Sequence, residues 1–143
     1  MTGLLLSVAI AAADSLIKRH REENDTTYEF LDDHVRIVTY RNKGAFLGKG
    51  SGHPVLVMWA SVALTIVLGT VFIITLTHSG LKALKLGLGL LLGGAFSNSY
   101  DRLKKGYVVD YIVFSKAPGF IKNIVFNISD FAIIIGALIS ALH

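Results

Sequence analysis

Four long apolar segments alternate with two polar stretches along the chain, and this alternation predicts helices that cross a bilayer. The segments cover about 3–18, 55–77, 81–98 and 124–142. The second, Val55 to Thr77, holds 23 residues without a charge, enough to span about 30 Å of hydrocarbon with some tilt. The third follows a short link, His78-Ser79-Gly80, and carries Gly87, Gly89, Gly93 and Gly94. Gly89 and Gly93 form a small-xxx-small pair that lets another helix approach closely. In the fourth, the uncharged run Phe131–Leu142 is too short to span alone. Its helix is therefore expected to begin near Ile124, drawing Asn127 and Asp130 into the membrane. The first segment lacks a basic leader and is interrupted by Asp14, so it reads as a retained helix rather than a signal peptide.

The polar stretches are 19–54 and 99–123. In the first, Thr27–Leu31 and Val35–Tyr40 flank Asp32-Asp33-His34, and Tyr28/Phe30 and Val35/Ile37 fall at period two. A short β-hairpin is expected there, too small to stand without other support. The second mixes charge with Tyr107, Tyr111, Phe114 and Phe120, and reads as an interfacial segment with aromatics at headgroup depth. Four spans put both polar stretches on one face and the 78–80 link and both termini on the other. The expected fold class is an all-α membrane protein, four transmembrane helices with a small β-hairpin, forming a single integral membrane domain over 1–143.

Composition agrees. Hydrophobic residues make up 52% of the chain and charged residues 17%, against about a quarter charged in soluble domains. With no cysteine, disulfides, thiolate nucleophiles and cysteine-held metals are excluded. The histidines show no metal-ligand spacing, and no metal or other cofactor is expected. The formal net charge of +4 suits anionic lipid headgroups, and no basic stripe interleaved with aromatics points to nucleic acid. Membrane lipids are the expected surroundings, and the protein is expected to act as a monomer.

Asp130 carries the most information. It lies in an apolar segment, 13 residues from the C-terminus, roughly 20 Å from one membrane surface at 1.5 Å per residue. An ionisable group at that depth points to function, or else to a buried ion pair that locks helices. Asp110 is a lone acid in the β-branched run 107–114, where a surface charge is the plain alternative. Converging carboxylates cannot both ionise easily, so such a pair shares a proton. One member then activates water while the other polarises a peptide carbonyl. Asp14 and Lys18 stand four apart on one helix face and suit a structural ion pair at a helix end. Ser15 beside Lys18 is a weaker sign of a Ser/Lys nucleophile. Asn98, Asp101 and Arg102 follow the glycines; an amide can hold a peptide and a guanidinium an anion.

The run Gly93-Gly94-Ala95-Phe96-Ser97-Asn98-Ser99-Tyr100-Asp101-Arg102-Leu103, with Gly106-Tyr107-Val108-Val109-Asp110-Tyr111, resembles the lipoprotein signal peptidase (signal peptidase II) signature GGAxxNxxDRxxxGxVVDF. Phe126-Asn127-Ile128-Ser129-Asp130 resembles its FNxAD block, Arg41–Phe46 its RNxGAAF block, and Asp14-x-x-x-Lys18 its first-helix DxxxK pattern. The resemblance implies an aspartyl endopeptidase of the bacterial cytoplasmic membrane. It would remove signal peptides from prolipoproteins just before a diacylglyceryl-modified cysteine. Asp110 and Asp130 would be catalytic. Asn42, Asn98, Arg102 and Asn127 would line the substrate pocket, and Asp14, Lys18 and Asp101 would support the site. Residues 24–50 would form an extracytoplasmic β-cradle. The chain departs from the pattern at Ser15, Ser97, Ser129 and the single alanine before Phe46; the two serines at 97 and 129 are expected merely to preserve small-residue packing.

Charge bears on orientation. Twelve of fourteen Lys and Arg lie on the face of the Asp pair, and only Lys82 and Lys85 lie opposite. The positive-inside rule would turn that face to the cytoplasm, whereas the family resemblance turns it outward, and the latter is the expectation adopted. Two other functions compete. A proton-linked transporter or channel subunit would use Asp130 and Asp14 as relay groups. A non-catalytic assembly partner would use its buried charges for packing.

Overall fold

The structure, a computed structural model of the chain, describes residues 2–45 and 49–143. The elements in order are α1 (Thr2–Glu23), β1 (Tyr28–Phe30), β2 (Val35–Asn42), α2 (Pro54–Thr77), α3 (Lys82–Lys105), β3 (Val108–Val113), a 3-10 turn (Ile121–Asn123), β4 (Val125–Phe126) and α4 (Ile128–Ala141). The fold is mostly helical, with one small antiparallel sheet. Pro54 opens α2 at its first turn, where its missing N–H costs nothing. Gly106, at φ 80°, closes α3 and donates its N–H to the Arg102 carbonyl.

α3 is the central helix and packs against the other three. Its glycines work on two faces. Ser7 of α1 donates its hydroxyl to the Gly89 carbonyl at 2.7 Å, and a side-chain carbon on Gly93 would come within 2.7 Å of the Ser7 carbonyl. On the opposite face Gly87 meets Gly136 and Ser140, and Gly94 meets Ser129 and Ile133 of α4. These pairings make α1 and α3 parallel, with α4 antiparallel to both. Thr65 opposite Ser99 and Gly69 opposite Leu92 make α2 antiparallel as well. The sheet therefore gathers at one end of the bundle, and the link after α2 lies at the other.

α2 buries only Phe72 and Thr75, and Leu56, Trp59, Ile66 and Ile73 are each more than half exposed. An apolar surface of that extent suits hydrocarbon rather than water. By length and composition α2 is long and apolar enough to cross a membrane; α4 is apolar but has only 14 residues.

Three boundaries differ from the sequence expectation. α1 and α3 extend to Glu23 and Lys105, because their charged ends stay helical through i,i+4 pairs such as Arg19–Glu23 and Asp101–Lys105. α4 begins at Ile128 rather than near Ile124, since residues 124–127 turn and pair in the sheet before the helix starts. The predicted hairpin is present, but as half of a sheet in the order β1-β2-β3-β4. Val108–Val113, interfacial by its sequence pattern, is an inner strand almost wholly buried. It supplies the support that an isolated hairpin lacks.

Replacing Gly94 by valine should push α4 away from α3 and cost about 1–3 kcal/mol, as overpacking does in other tight interiors. Thermal unfolding in detergent should show a lower midpoint for Gly94→Val; an unchanged midpoint would rule out the close approach.

Candidate active site

Three asparagines organise the end of the bundle beneath the sheet. Asn127 is the N-cap of α4. Its side-chain oxygen accepts the Asp130 N–H at 2.9 Å, and the Asp130 Oδ2 accepts the Asn127 N–H at 2.9 Å. This reciprocal pair is a capping box, and it puts Asp130 in the first turn of α4 rather than inside the helix. With its oxygen committed, the Asn127 amide nitrogen donates to Asp110 Oδ1 at 2.7 Å and to Asn98 Oδ1 at 3.2 Å.

Asn98, on α3, is oriented the same way. Its oxygen accepts from the Lys18 ammonium at 2.8 Å, so its nitrogen turns to Asp130 Oδ1 at 3.0 Å. Asn42 ends β2 as a diagonal neighbour of Asp110 across the β2–β3 ladder, where Tyr40 faces Asp110. Its oxygen accepts the Gly44 N–H at 2.9 Å, and its nitrogen donates to Asp110 Oδ2 at 2.9 Å. Each of the four carboxyl oxygens thus receives an N–H, and every amide orientation is fixed by a group that can only donate.

Burial pushes the Asp110 carboxyl up to about 7, with the nearby Asp130 charge the next cause; the two amide donors pull against this. Asp110 and Asp130 are joined through Asn127 and Asn98, and no direct hydrogen bond links their carboxyls.

The site rests on a fully buried ion pair. Lys18 Nζ lies 2.6 Å from Asp14 Oδ2 and 3.4 Å from Asp101 Oδ2, and neither Lys18 nor Asp14 has measurable exposure. The pair sits mid-bundle, not at a helix end, because α1 continues past it. Asp101 also binds Lys105 at 3.1 Å and accepts the Val109 N–H. Arg102 donates to the Gly44 carbonyl at 2.8 Å, and among the described residues its Nε is buried without a partner. Every sequence-predicted site residue therefore meets another, Arg102 by donating to the Asn98 carbonyl at 3.4 Å; Phe46, the end of the Arg41–Phe46 block, lies outside the described residues.

Sequence reasoning missed three hydroxyls. Ser97 and Ser129 donate to Asp14 Oδ2 at 2.7 and 2.6 Å. Tyr111 donates to Asp14 Oδ1 at 2.8 Å and accepts the Ile128 N–H at 3.1 Å. The serines are thus ligands of a buried carboxylate, not mere small fillers. Burial and the adjacent Asp14 push the Tyr111 phenol well above its ordinary range, so it remains a donor. Hydroxyls in otherwise apolar or glycine-rich runs were the available signal.

A groove of about 650 Å³ opens between α2, α3 and α4. Leu56, Leu64, Ile133 and Ile134 wall it, and Asn98, Arg102 and Asp130 stand within it. The family described as signal peptidase (SPase) II matches residues 6–143. The chain belongs to the signal peptidase II family. It is 32% identical to a lipoprotein signal peptidase of Pseudomonas fluorescens, over 97% of this chain and 84% of that protein. One from Bacillus velezensis is 31% identical over 100% of this chain and 93% of its own, and one from Geobacillus thermodenitrificans 30% over 97% and 86%. The fold matches a bacterial membrane enzyme solved by the in meso method at 2.3 Å, with a TM-score of 0.83, 24% identity, and coverage of 99% of this chain and 85% of that one. Membership of this family makes the protein a protease of the aspartyl type that works in a membrane.

A carbon-13 titration of the Asp110 carboxyl should give a midpoint of about 7. In Asp130→Asn the neighbouring charge is gone and the midpoint should fall. A midpoint unmoved by that substitution would show that the two carboxyls do not sense each other.

Proposed function

We propose that Asp110 and Asp130 are the catalytic pair of a prolipoprotein signal peptidase that cuts just before a diacylglyceryl-modified cysteine. The observation that carries this reading is a pair of carboxyls, Asp110 buried and Asp130 part-exposed to the groove, with all four oxygens on neutral N–H donors at the polar end of an apolar groove. α1–α4 each cross the bacterial cytoplasmic membrane, with the sheet and the acids towards the extracytoplasmic side. α1 and α3, with 22 and 24 residues, are about 33 and 36 Å long at 1.5 Å per residue. The exposed apolar flank of α2 supports lipid on that side. The short α4 is extended by the 124–127 segment and the buried polar cap, which is tolerable because that end is enclosed by protein.

In this reading the lipid chains of the substrate lie along Leu56, Leu64, Ile133 and Ile134, entering sideways from the bilayer, and the scissile bond lies at Asp130. The two carboxyls share one proton. The ionised member takes a proton from water, and the water oxygen bonds to the scissile carbonyl carbon. The protonated member delivers its proton to the carbonyl oxygen. When the tetrahedral species collapses, the carbon–nitrogen bond breaks, the proton held by the first member passes to the departing nitrogen, and a hydroxyl proton of the diol returns to the second member, leaving a carboxylic acid and restoring the shared proton. Asn42, Asn98 and Asn127 hold the carboxyls and Arg102 offers donors to the peptide. Lys18, Asp14 and Asp101 set the asparagines in place. Exclusion of bulk water strengthens each of these electrostatic effects. The reading is of a monomer, since one chain supplies every group. A transporter would need ionisable residues through the membrane depth, and neither α2 nor α4 beyond Asp130 contains one.

Asp110→Asn and Asp130→Asn should each lower the cleavage rate of a diacylglyceryl-modified precursor by about 10²–10⁴-fold, while circular dichroism stays native. A normal rate in either variant would end the proposal. Above about 7 Asp110 loses its proton, both carboxyls are then charged, and no acid remains. The cleavage rate should therefore fall as pH rises through about 7, and a rate that climbed across that range would contradict the shared proton.

A further inference from the structure

The basic residues on the sheet side of the bundle exceed what the site uses. Lys18 and Arg102 belong to the site. Arg21 is buried against Thr26 and Thr39, and Lys105 is taken up by Glu22 and Asp101. Two cations of α1 and α3 stay on the surface without such use. Arg19 is exposed and paired only within its own helix, to Glu23, which is also exposed, a contact worth little and easily exchanged. Lys104 has no acidic partner among the described residues; it stands over the Tyr100 ring at 5.5 Å.

These two cations flank the head of a long groove on the face away from the substrate cavity. Between α1 and α3 runs an apolar channel of about 500 Å³, walled by Leu4, Val8, Leu92 and Phe96 and floored by small residues such as Ala12 and Gly93. It is continuous with a polar depression of about 440 Å³ that contains Arg19 and Lys104; Ala12, Ser15 and Tyr100 belong to both. The acids in the depression, Glu22 and Asp101, are both held by Lys105. From Arg19 down to Leu4 the channel follows α1 for about 22 Å at 1.5 Å per residue. That exceeds the roughly 15 Å of one hydrocarbon leaflet.

We propose that this groove is a binding site for one anionic glycerophospholipid, with the phosphate between Arg19 and Lys104 and an acyl chain along the α1–α3 channel. Charge complementarity selects the occupant. Tyr100 lies at the junction of the apolar and polar parts, where a phenol suits the hydrocarbon–headgroup boundary. A second copy docked symmetrically here would bring the same two cations together twice over, which disfavours it. A lipid phosphate supplies the missing negative charge and leaves the helices as they are. The proposal rests on α1 and α3 lying in the bilayer and is independent of the catalytic pair.

The test is native mass spectrometry of the full chain in detergent after exposure to vesicles of equimolar phosphatidylglycerol and phosphatidylcholine. One phosphatidylglycerol should be retained, preferred by about tenfold, as two surface cations acting on a headgroup would give. The double variant Arg19→Gln with Lys104→Gln should lose the preference. Ala12→Trp, which fills the junction, should lose retention altogether. Both should still cleave precursor at the normal rate at saturating substrate, so a failure here is distinguishable from a failure of the protease reading. Equal retention of the two lipids by the wild type, or a preference that survives the double variant, would overturn the site. Displacement of the lipid by soluble glycerol phosphate would reassign the cations to a free anion and overturn it too.

Discussion

The Asp14–Lys18 contact is the interaction on which the rest of this site depends. Burying an ammonium and a carboxylate costs several kcal/mol per ion unless hydrogen bonds replace the lost water. Here the replacement is complete: Asp14 receives Ser97, Ser129, Tyr111 and Lys18, and Lys18 gives to Ser97, Asn98 and Asp14. Those partners come from α3, β3 and α4. A single ion pair therefore fixes how three elements meet α1. Removing Lys18 would strand Asp14 in a dry interior, and removing Asp14 would leave Lys18 only its longer contact with Asp101, so the pair fixes a unique geometry rather than adding much net stability.

The geometry propagates by donor and acceptor logic. An ammonium can only donate, so the Asn98 oxygen must face it and the Asn98 nitrogen must face Asp130. A backbone N–H imposes the same choice on Asn127 and Asn42. The precision of the carboxyl pair thus comes from groups with no freedom to reverse, seated on glycine-packed helices and an inner strand.

Much of this was legible in the chain and some was not. The apolar segments located all four helices because their hydrophobicity is sustained and their interruptions are few. Glycines 87, 89, 93 and 94 announced close packing, and the structure shows two faces rather than one. The hairpin was visible from the alternation at Tyr28–Phe30 and Val35–Ile37. The strand Val108–Val113 was hidden, because a fully buried strand has no polar alternation to reveal it. The start of α4 was misread because apolarity was followed and the Asn-x-x-Asp capping pattern was not. Ser97, Tyr111 and Ser129 were passed over since a hydroxyl announces nothing until its buried partner is known.

The carboxyls of Asp110 and Asp130 are held by amides, not by cations, and Lys18 connects to Asp130 through Asn98 and to Asp110 through Asn98 and Asn127 in turn. Had the ammonium touched either acid directly, it would have held that acid permanently charged. The neutral side chain of Asn98 acts as a spacer: it passes on orientation while keeping the ammonium out of direct contact with either acid. The only mobile positive charge left to the two acids is then a proton, and its comings and goings are the chemistry such a pair can perform.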